Sequence, residues 1–221
     1  MDCATEVFIS QGYARTQMAD VANALGVAKG TLYLAVESKE ALFDLVLRYA
    51  DVPRPFAHQP DLPVRTPKRG TTIAFVRERL AQGQMPPTLA AALARSGIAR
   101  DGQREVETIL HELYGTLATN RTGIKLVDRC ARDYPELAAL WFEGARSGLV
   151  VALEHYLASP RRRRFLRPFP APAVVARMLI ETLVFWAVHR HWDAHPQPVD
   201  KTAMRDSVLR FLAAGLIKES H

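Results

Sequence analysis

The sequence predicts an all-α protein with a small N-terminal helix-turn-helix domain followed by a larger helical domain. Apolar residues recur at helical spacing along most of the 221-residue chain, and 48% hydrophobic residues suffice for a core. A glycine separates two short amphipathic helices near the N-terminus. Residues 51–70 contain five prolines that no helix can cross, so we predict domain boundaries at 1–50, 51–70 and 71–221.

The two short helices form the predicted helix-turn-helix. The first has apolar residues at the i, i+3, i+4, i+7 spacing of one face, at Met18, Val21, Ala22 and Leu25. Gly26 ends it, because glycine adopts left-handed backbone without steric cost. The second is predicted over residues 28–34, with Leu32 turned inward. Such a pair suits a helix entering the major groove of DNA, and an ordinary pair of core helices is the alternative.

Residues on both sides of the turn extend the pattern. They are Ala4, Phe8, Gly12, Tyr13, Thr16, Asp20-Val21-Ala22, Gly26-Val27, Lys29-Gly30-Thr31-Leu32-Tyr33, Ser38-Lys39-Glu40 and Leu42. Over about the first fifty residues this resembles the N-terminal domain of the tetracycline-repressor (TetR) family of one-component transcriptional regulators. The resemblance implies an all-helical homodimer, in which a three-helix DNA-binding domain is joined to a variable helical domain that binds a small-molecule effector.

The resemblance also implies which residues lie at the DNA. The family's contacts carry over to Lys29, Thr31, Tyr33 and Lys39, and Thr16 and Gln17 resemble further contacts to the DNA backbone. We also predict Gly30 and Leu34 at the DNA. In the family the tyrosine and the lysine that opens the next helix usually contact phosphates. A lysine on a phosphate fixes the register of the protein without reading base sequence.

Three departures from the family pattern have consequences. Leu34-Ala35-Val36 follows Tyr33 where relatives have polar or aromatic residues and then Phe, so base readout there is expected to be apolar, for example against a thymine methyl. Gln17 replaces a small hydroxyl residue, which weakens the predicted cap. Met1 falls inside the first helix, whereas family members commonly begin several residues earlier, so we expect a truncated or misassigned start.

The remaining helices follow from periodicity and from their end residues. The first ends at Gln11 before Gly12, and the fourth begins after Ser38, a residue suited to an N-cap. Beyond the proline-rich segment, which is either a mobile connection or a flap, helices are predicted over 72–84, 88–95, 103–120, 123–132, 135–159, 173–191 and 202–217. By resemblance, the helices at 136–158 and 173–191 form the four-helix bundle of a homodimer, which would present two recognition helices to a palindromic operator.

Residues of the larger domain suggest a ligand site. The candidates for an aromatic or amphipathic ligand are Phe75, Tyr114, Trp141, Phe142, Arg146, Glu181 and Trp186. Each of them also fits an ordinary position in a helical core. Glu181 lies in an apolar helix and needs a partner, which is Arg177 a turn earlier, a cation across the dimer, or a charged ligand.

Two clusters of basic residues allow different interpretations. Arg161-Arg162-Arg163-Arg164 is either a solvated loop or a site for an anion or phosphate. His189, His191 and His195 suggest zinc by type, but Pro196 follows at once and no cysteine or carboxylate cluster accompanies them, so a helix end is the better interpretation. We predict no metal and no cofactor.

The distribution of charge is unusual for a DNA-binding protein. The formal net charge is +6, yet residues 1–50 contain four basic and six acidic residues. Phosphate binding must then depend on a few well-placed cations, so a modest salt dependence is expected. The sequence has two cysteines, too few for a disulfide framework, and we find neither a secretory leader nor an apolar run long enough to span a bilayer. These features are typical of a cytoplasmic protein without membrane association.

These observations predict a dimeric, ligand-responsive transcriptional regulator, with a repressor expected over an activator. The alternative is a helical small-molecule-binding protein that has lost specific DNA binding. An enzyme has no positive support, since the sequence contains no GxSxG, HExxH, P-loop or dinucleotide-binding glycine pattern. The sequence identifies neither the effector nor the operator.

Overall fold

The computed structural model describes residues 1–52, 61–83, 85–97 and 99–218. Within these residues the chain is all-α, as predicted, and extended backbone pairs only at two isolated bridges, Val36 with Val64 and Leu166 with Ile217. The α-helices are α1 Asp2–Gln11, α2 Met18–Leu25, α3 Lys29–Ala35, α4 Lys39–Tyr49, α5 Thr71–Gly83, α6 Pro87–Ala94, α7 Gly102–Thr119, α8 Arg121–Cys130, α9 Pro135–Ala138, α10 Ser147–Ala158, α11 Pro172–Ala187 and α12 Lys201–Leu216.

Three shorter helical segments complete the described chain. Ala139–Arg146 is a π-helix between α9 and α10, where the sequence predicts one uninterrupted α-helix. Pro160–Arg164 and His189–Trp192 are 3₁₀ turns. The second of these turns ends α11 earlier than the predicted residue 191, and places His189 and His191 at a helix end.

The chain divides into two compact units. The first contains Met1–Gln82 and Asn120–Gly144, and the second contains Gly83–Thr119 and Ala145–His221. Residues 120–144 therefore pack with the N-terminal unit, although they lie far along the sequence. These units are defined by packing. The boundaries of the DNA-binding domain, the linker and the effector domain, at residues 50 and 70, stay a prediction.

The first unit is built around α1, which packs against α2, α4 and α8. Its core side chains are large and fully buried, at Phe8, Val21, Phe43 and Val46. Gly12 ends α1 as predicted, with a φ of 85°. An added Cβ there would lie 2.6 Å from a carboxylate oxygen of Asp133, so both the backbone angle and the space favour glycine.

The proline-rich segment is described only in part. Residues 53–60, with three of its five prolines, lie outside the described residues. Downstream, the Val64 N–H donates to the carbonyl of Ala35 at 2.8 Å, and the Glu37 N–H donates to the carbonyl of Val64 at 3.0 Å. This stretch of the predicted linker therefore pairs with the chain that leaves α3.

The second unit contains α6, α7, α10, α11 and α12. Helices α10 and α11 pack against each other most extensively, while α7 packs against α6, α11 and α12. Seven leucines and isoleucines of these helices are at most 3% exposed, at Leu89, Ile109, Leu110, Leu113, Leu153, Ile180 and Leu183. Among the described residues, no helix is long and apolar enough to cross a membrane.

Candidate nucleic-acid interface

The turn between α2 and α3 has the hydrogen bonds of a Schellman motif. Gly26 has a φ of 68°, its N–H donates to the carbonyl of Asn23 at 3.1 Å, and the Val27 N–H donates to the carbonyl of Ala22 at 3.0 Å. The predicted α2 boundaries are confirmed. The position of Leu25 differs from the prediction. Helical spacing placed it on the apolar face of α2, but its side chain is 41% exposed at the last turn before Gly26.

Helix α3 is anchored by one side and presents the other to solvent. Leu32 is 6% exposed and fixes the inner side. Side chains of the outer side are exposed, at Lys29, Thr31, Tyr33 and Leu34, and Gly30 lies among them. Leu34 is 73% exposed, so most of its side chain is available for apolar contact.

The far end of α3 is held by residues from the predicted linker. Besides the pairing of Val64 with Ala35 and Glu37, the Thr66 N–H donates to a Glu37 carboxylate oxygen at 2.8 Å. The hydroxyls of Ser38 and Thr66 lie 2.8 Å apart. Both ends of the seven-residue helix are therefore fixed, which favours a rigid presentation of its outer side.

The two residues before α2 differ sharply in exposure. Thr16 is 1% exposed, and its hydroxyl donates to the carbonyl of Gly12 at 2.7 Å. Its hydroxyl is therefore buried and closes the turn after α1, so the predicted contact of Thr16 with DNA cannot be made by this hydroxyl. Gln17 is exposed, and its N–H donates to a carboxylate oxygen of Asp20 at 2.8 Å, which strengthens a start of α2 that the sequence predicted to be weakly capped.

Lys39 makes contacts within the protein that the sequence did not indicate. Its Nζ donates to the carbonyls of Tyr13 at 3.0 Å and Ala14 at 3.4 Å, and lies 4.5 Å from the centroid of the Tyr13 ring. The Tyr13 hydroxyl donates to Glu40 at 3.3 Å. Burial, reinforced by the Glu40 charge, raises the pKa of Tyr13, so this hydroxyl remains a hydrogen-bond donor at neutral pH.

Three ligand candidates lie in the first unit. The Arg48 guanidinium lies 4.4 Å from the centroid of the half-buried Phe75 ring. Trp141 is 9% exposed, and its indole N–H donates to Asp128 at 3.0 Å. Trp141 and the half-buried Phe142 both lie on the π-helix Ala139–Arg146.

The other four ligand candidates lie in the second unit. Glu181 accepts from Arg146 at 2.6 Å and lies 2.7 Å from Nε of Arg177. Arg177 is thus present as one of the three partners that the sequence left open, and Arg146 is a partner that the sequence did not indicate. The Tyr114 hydroxyl is buried and donates to Sδ of Met204 at 3.7 Å. Arg190 lies 5.8 Å from the centroid of the Trp186 ring. Arg146 and Glu181 are thus brought together, while ligand binding by the seven residues stays a prediction.

The second unit contains a buried ionic cluster that was not predicted from the sequence, and we call it the Glu105 cluster. It contains Glu105, Arg95, Tyr156 and Arg162. The available indication was Glu105 itself, which stands immediately before Val106 on the apolar side of α7. Its partners lie in other elements, so spacing along the sequence did not reveal them.

Comparison with known proteins agrees with this geometry. Residues 1–46 match the sequence model of the tetR family of bacterial regulatory proteins. The ketosteroid transcriptional regulator KstR2 of Mycobacterium tuberculosis has a similar structure, with 14% identity, a TM-score of 0.53, and coverage of 99% of this chain and 93% of that chain. NalD, the secondary repressor of the MexAB-OprM multidrug efflux pump in Pseudomonas aeruginosa, has 19% identity, a TM-score of 0.50, and coverage of 99% and 93%.

The matches establish a family resemblance and a fold. No curated protein sequence matches the chain. The matching family model describes regulatory proteins and not enzymes, and it covers α1 to α3 and most of α4. The resemblance to the tetracycline-repressor family that the sequence predicted is confirmed, with its helix-turn-helix and its all-α fold.

Proposed function

We propose that this protein is a dimeric transcriptional regulator, most simply a repressor, whose α3 reads a palindromic operator and whose helical domain responds to a small-molecule effector. The observation that carries the proposal is the two-sided nature of α3. Leu32 holds its inner side, while Lys29, Thr31, Tyr33 and Leu34 form an exposed outer side. This lies within the segment that matches a family of regulatory proteins.

The outer side of α3 combines the contact types that groove recognition needs. Lys29 supplies a cation and Tyr33 a hydroxyl for phosphate oxygens, with Lys29 Nζ 5.9 Å from the centroid of the Tyr33 ring. Thr31 offers a hydroxyl to base edges, and the exposed Leu34 offers apolar contact to a thymine methyl. Gln17 is exposed at the start of α2 and supplements the phosphate contacts. Lys39 joins them only if it gives up its bonds to Tyr13 and Ala14.

Exposed apolar residues on α10 and α11 support the proposed dimer. On α11, Val174, Met178 and Phe185 are 56%, 63% and 42% exposed. They follow one another at intervals of four and seven residues, so they share a helix face. On α10, Val151 is 47% exposed and the small residues Ser147 and Gly148 are also exposed. Pairing of these faces between two copies would remove the apolar side chains from water.

The proposed effector response uses the predicted ligand residues. Trp141, Phe142 and Arg146 lie on the π-helix Ala139–Arg146, and π-helical segments are often found at functional sites. An effector that favours one arrangement of the dimer would change the spacing of its two α3 helices. Coupling of this kind is typically about 1–3 kcal/mol, or roughly 5- to 150-fold in operator affinity.

Selection from a pool of randomised DNA duplexes tests the DNA-binding proposal. We expect enrichment of a sequence with two inverted half-sites, with centres about one helical turn apart. Leu34→Ala should reduce the enrichment without loss of fold, since Leu34 is 73% exposed and supplies the proposed contact to a thymine methyl. Failure of the wild type to enrich any sequence would favour the alternative, a ligand-binding protein without specific DNA binding. The acidic excess of residues 1–50 is the observation that supports this alternative.

Sedimentation equilibrium tests the proposed dimer. Met178→Asp places a charge in the exposed apolar face of α11 and should convert the dimer into a monomer. The matched control is Leu62→Asp, because Leu62 is 56% exposed in the first unit and should leave the dimer intact. A wild-type monomer, or equal dissociation in both variants, would contradict the assignment of this face.

A further inference from the structure

The second unit contains a cavity that the proposed DNA-binding and effector functions do not use. Its volume is about 340 Å³, close to the lower end of about 300–1,000 Å³ for small-molecule pockets. None of the seven predicted ligand residues lines it. Its walls include three arginines, one histidine and two apolar residues, at Arg95, Arg161, Arg162, His155, Leu93 and Ala99.

Arg162 is the buried arginine of this cavity. It is 9% exposed, its two terminal nitrogens donate to the carbonyls of Tyr156 and Ala92, and its guanidinium lies 4.2 Å from the centroid of the Tyr156 ring. Its Nε is buried and makes no hydrogen bond within the described part of the chain. The nearest carboxylate oxygen, on Glu105, is 3.8 Å from Nε, too long for a hydrogen bond.

The Glu105 cluster leaves positive charge uncompensated. Glu105 is 8% exposed, and its carboxylate accepts from Arg95 and from the Tyr156 hydroxyl. It is therefore shared by two guanidinium groups, those of Arg95 and Arg162. Arg161 supplies a third guanidinium to the cavity lining, so the three arginines of the lining carry two positive charges more than the single carboxylate that Arg95 and Arg162 share. Buried charge is unfavourable unless an opposite charge or hydrogen bonds compensate for it.

We propose that this cavity binds a phosphate group, either free or as the monoester of a small molecule. A phosphate monoester carries a charge of about −1.5 to −2 at pH 7, which matches the two excess positive charges better than a carboxylate does. Guanidinium groups bind its oxygens in bidentate geometry. Leu93 and Ala99 supply apolar contact for a short organic substituent.

The cavity is accessible to such a ligand. Arg161 is exposed, and the side chain of Arg95 is 38% exposed, so both reach solvent from the wall. Under this proposal the two interpretations of the arginine run, an anion site and a solvated loop, apply to different residues. Arg161 and Arg162 line the cavity, whereas Arg163 and Arg164 are exposed outside its lining. The proposal does not depend on DNA binding.

Calorimetric titration of the full chain tests the proposal at constant ionic strength in chloride buffer. The three probes are phenyl phosphate, inorganic phosphate and benzoate. We expect phosphate-containing probes to bind, with benzoate about tenfold weaker or more. If phenyl phosphate binds more tightly than inorganic phosphate, the natural ligand of the cavity is a phosphate monoester. The reverse order assigns the cavity to free phosphate.

Neighbouring arginines provide a matched pair of variants. Arg161→Gln should weaken binding of phenyl phosphate about tenfold, because it removes one charged donor. Arg163→Gln makes the same charge change at an exposed residue outside the cavity lining and should leave the affinity within about twofold. Thermal unfolding of both variants checks that the fold is kept. Absence of phosphate binding, equal affinity for benzoate, or equal loss in both variants would overturn the proposal.

Discussion

The two units of this protein stabilise their interiors in different ways. The first contains an aromatic cluster, in which ring centroids are separated by 4.7–6.4 Å, formed by Phe8, Tyr13, Phe43 and Tyr134. The second contains the Glu105 cluster, in which a buried carboxylate meets Arg95, Arg162 and Tyr156. Aromatic rings therefore meet in the first interior, whereas the second interior contains an ionic cluster beside its buried leucines and isoleucines.

The cationic side chains and the proposed DNA-reading helix lie in different parts of the sequence. The N-terminal fifty residues carry an acidic excess, yet they contain the exposed side of α3. Three arginines of the second unit line a cavity instead. A net charge of +6 thus says little about which surface meets DNA, because individual positions decide the contacts.

The largest expected effect is on the second unit, and it tests whether charge balance stabilises that interior. Glu105→Gln would leave two arginines without their shared carboxylate, so we expect the free energy of unfolding to fall by about 4 kcal/mol in urea titrations. Glu107→Gln on the same helix is the control and should change it by about 0.5 kcal/mol or less, because Glu107 is only half-buried. Equal effects would remove the distinction between the two interiors.

The next effect compares the two sides of α3 in the first unit. Leu32→Ala removes a side chain that is 6% exposed and should lower the free energy of unfolding by about 3 kcal/mol. Leu34→Ala removes one that is 73% exposed and should change stability by about 0.5 kcal/mol or less, while it weakens operator binding. Similar stability losses would show that the outer side of α3 is needed for folding and is not reserved for DNA.

Alkaline pH should destabilise the first unit through Cys130. Burial, reinforced by Asp133, raises the pKa of this thiol to about 12. The unfolded thiol titrates near pH 8.5, so above that pH the unfolded state loses a proton that the folded state keeps. The free energy of unfolding then falls by about 1.4 kcal/mol per pH unit, or about 2 kcal/mol between pH 8.5 and 10, and this group has no effect at lower pH.

Two cysteine variants isolate this contribution in urea titrations at pH 8 and pH 10. Cys130→Ala should reduce the decline between pH 8 and pH 10 by about 2 kcal/mol. The remainder belongs to tyrosines such as Tyr13, whose pKa folding also raises. Cys3→Ala should retain the full decline because Cys3 is exposed. An unchanged slope in Cys130→Ala would contradict the assignment to this thiol.

The smallest effect concerns a local contact in the first unit. The Ser38 hydroxyl accepts from the Ala41 N–H at 3.1 Å and caps α4. Ser38→Ala should therefore cost about 1 kcal/mol of stability. Ser207→Ala inside α12 removes a hydroxyl that donates to the Ala203 carbonyl and should change stability by about 0.5 kcal/mol or less. A larger loss for Ser207→Ala would refute the capping role.

Features fixed by neighbours in sequence could be predicted, and features fixed by distant residues could not. Gly12, Gly26 and Ser38 mark helix ends through their own backbone or side-chain chemistry, so the ends of α1 and α2 and the start of α4 follow from the sequence. The burial of Thr16 and the bonds of Lys39 to Tyr13 and Ala14 depend on how the chain returns on itself.

The same reasoning applies to the candidate sites. The outer residues of α3 follow from helical spacing around Leu32. The pairing of Val36 with Val64 joins residues on opposite sides of the proline-rich segment, and the contact between Glu105 and Arg162 joins α7 to the Pro160–Arg164 turn. Neither is visible from periodicity, because each links segments that are far apart in the chain.

The most direct test of the central claim is fluorescence anisotropy with the DNA upstream of this protein's own gene, with a scrambled duplex as reference and a salt titration. We predict about a thousandfold preference or more for the upstream DNA. Thr31→Ala and Leu34→Ala should reduce this preference because they remove the proposed base contacts, whereas Lys29→Ala should weaken binding of both duplexes because it removes a phosphate contact. Lys201→Ala makes the same charge change as Lys29→Ala at an exposed residue of α12 and should alter neither binding nor preference. Equal weak binding of both duplexes, unaffected by these substitutions, would contradict DNA reading by α3.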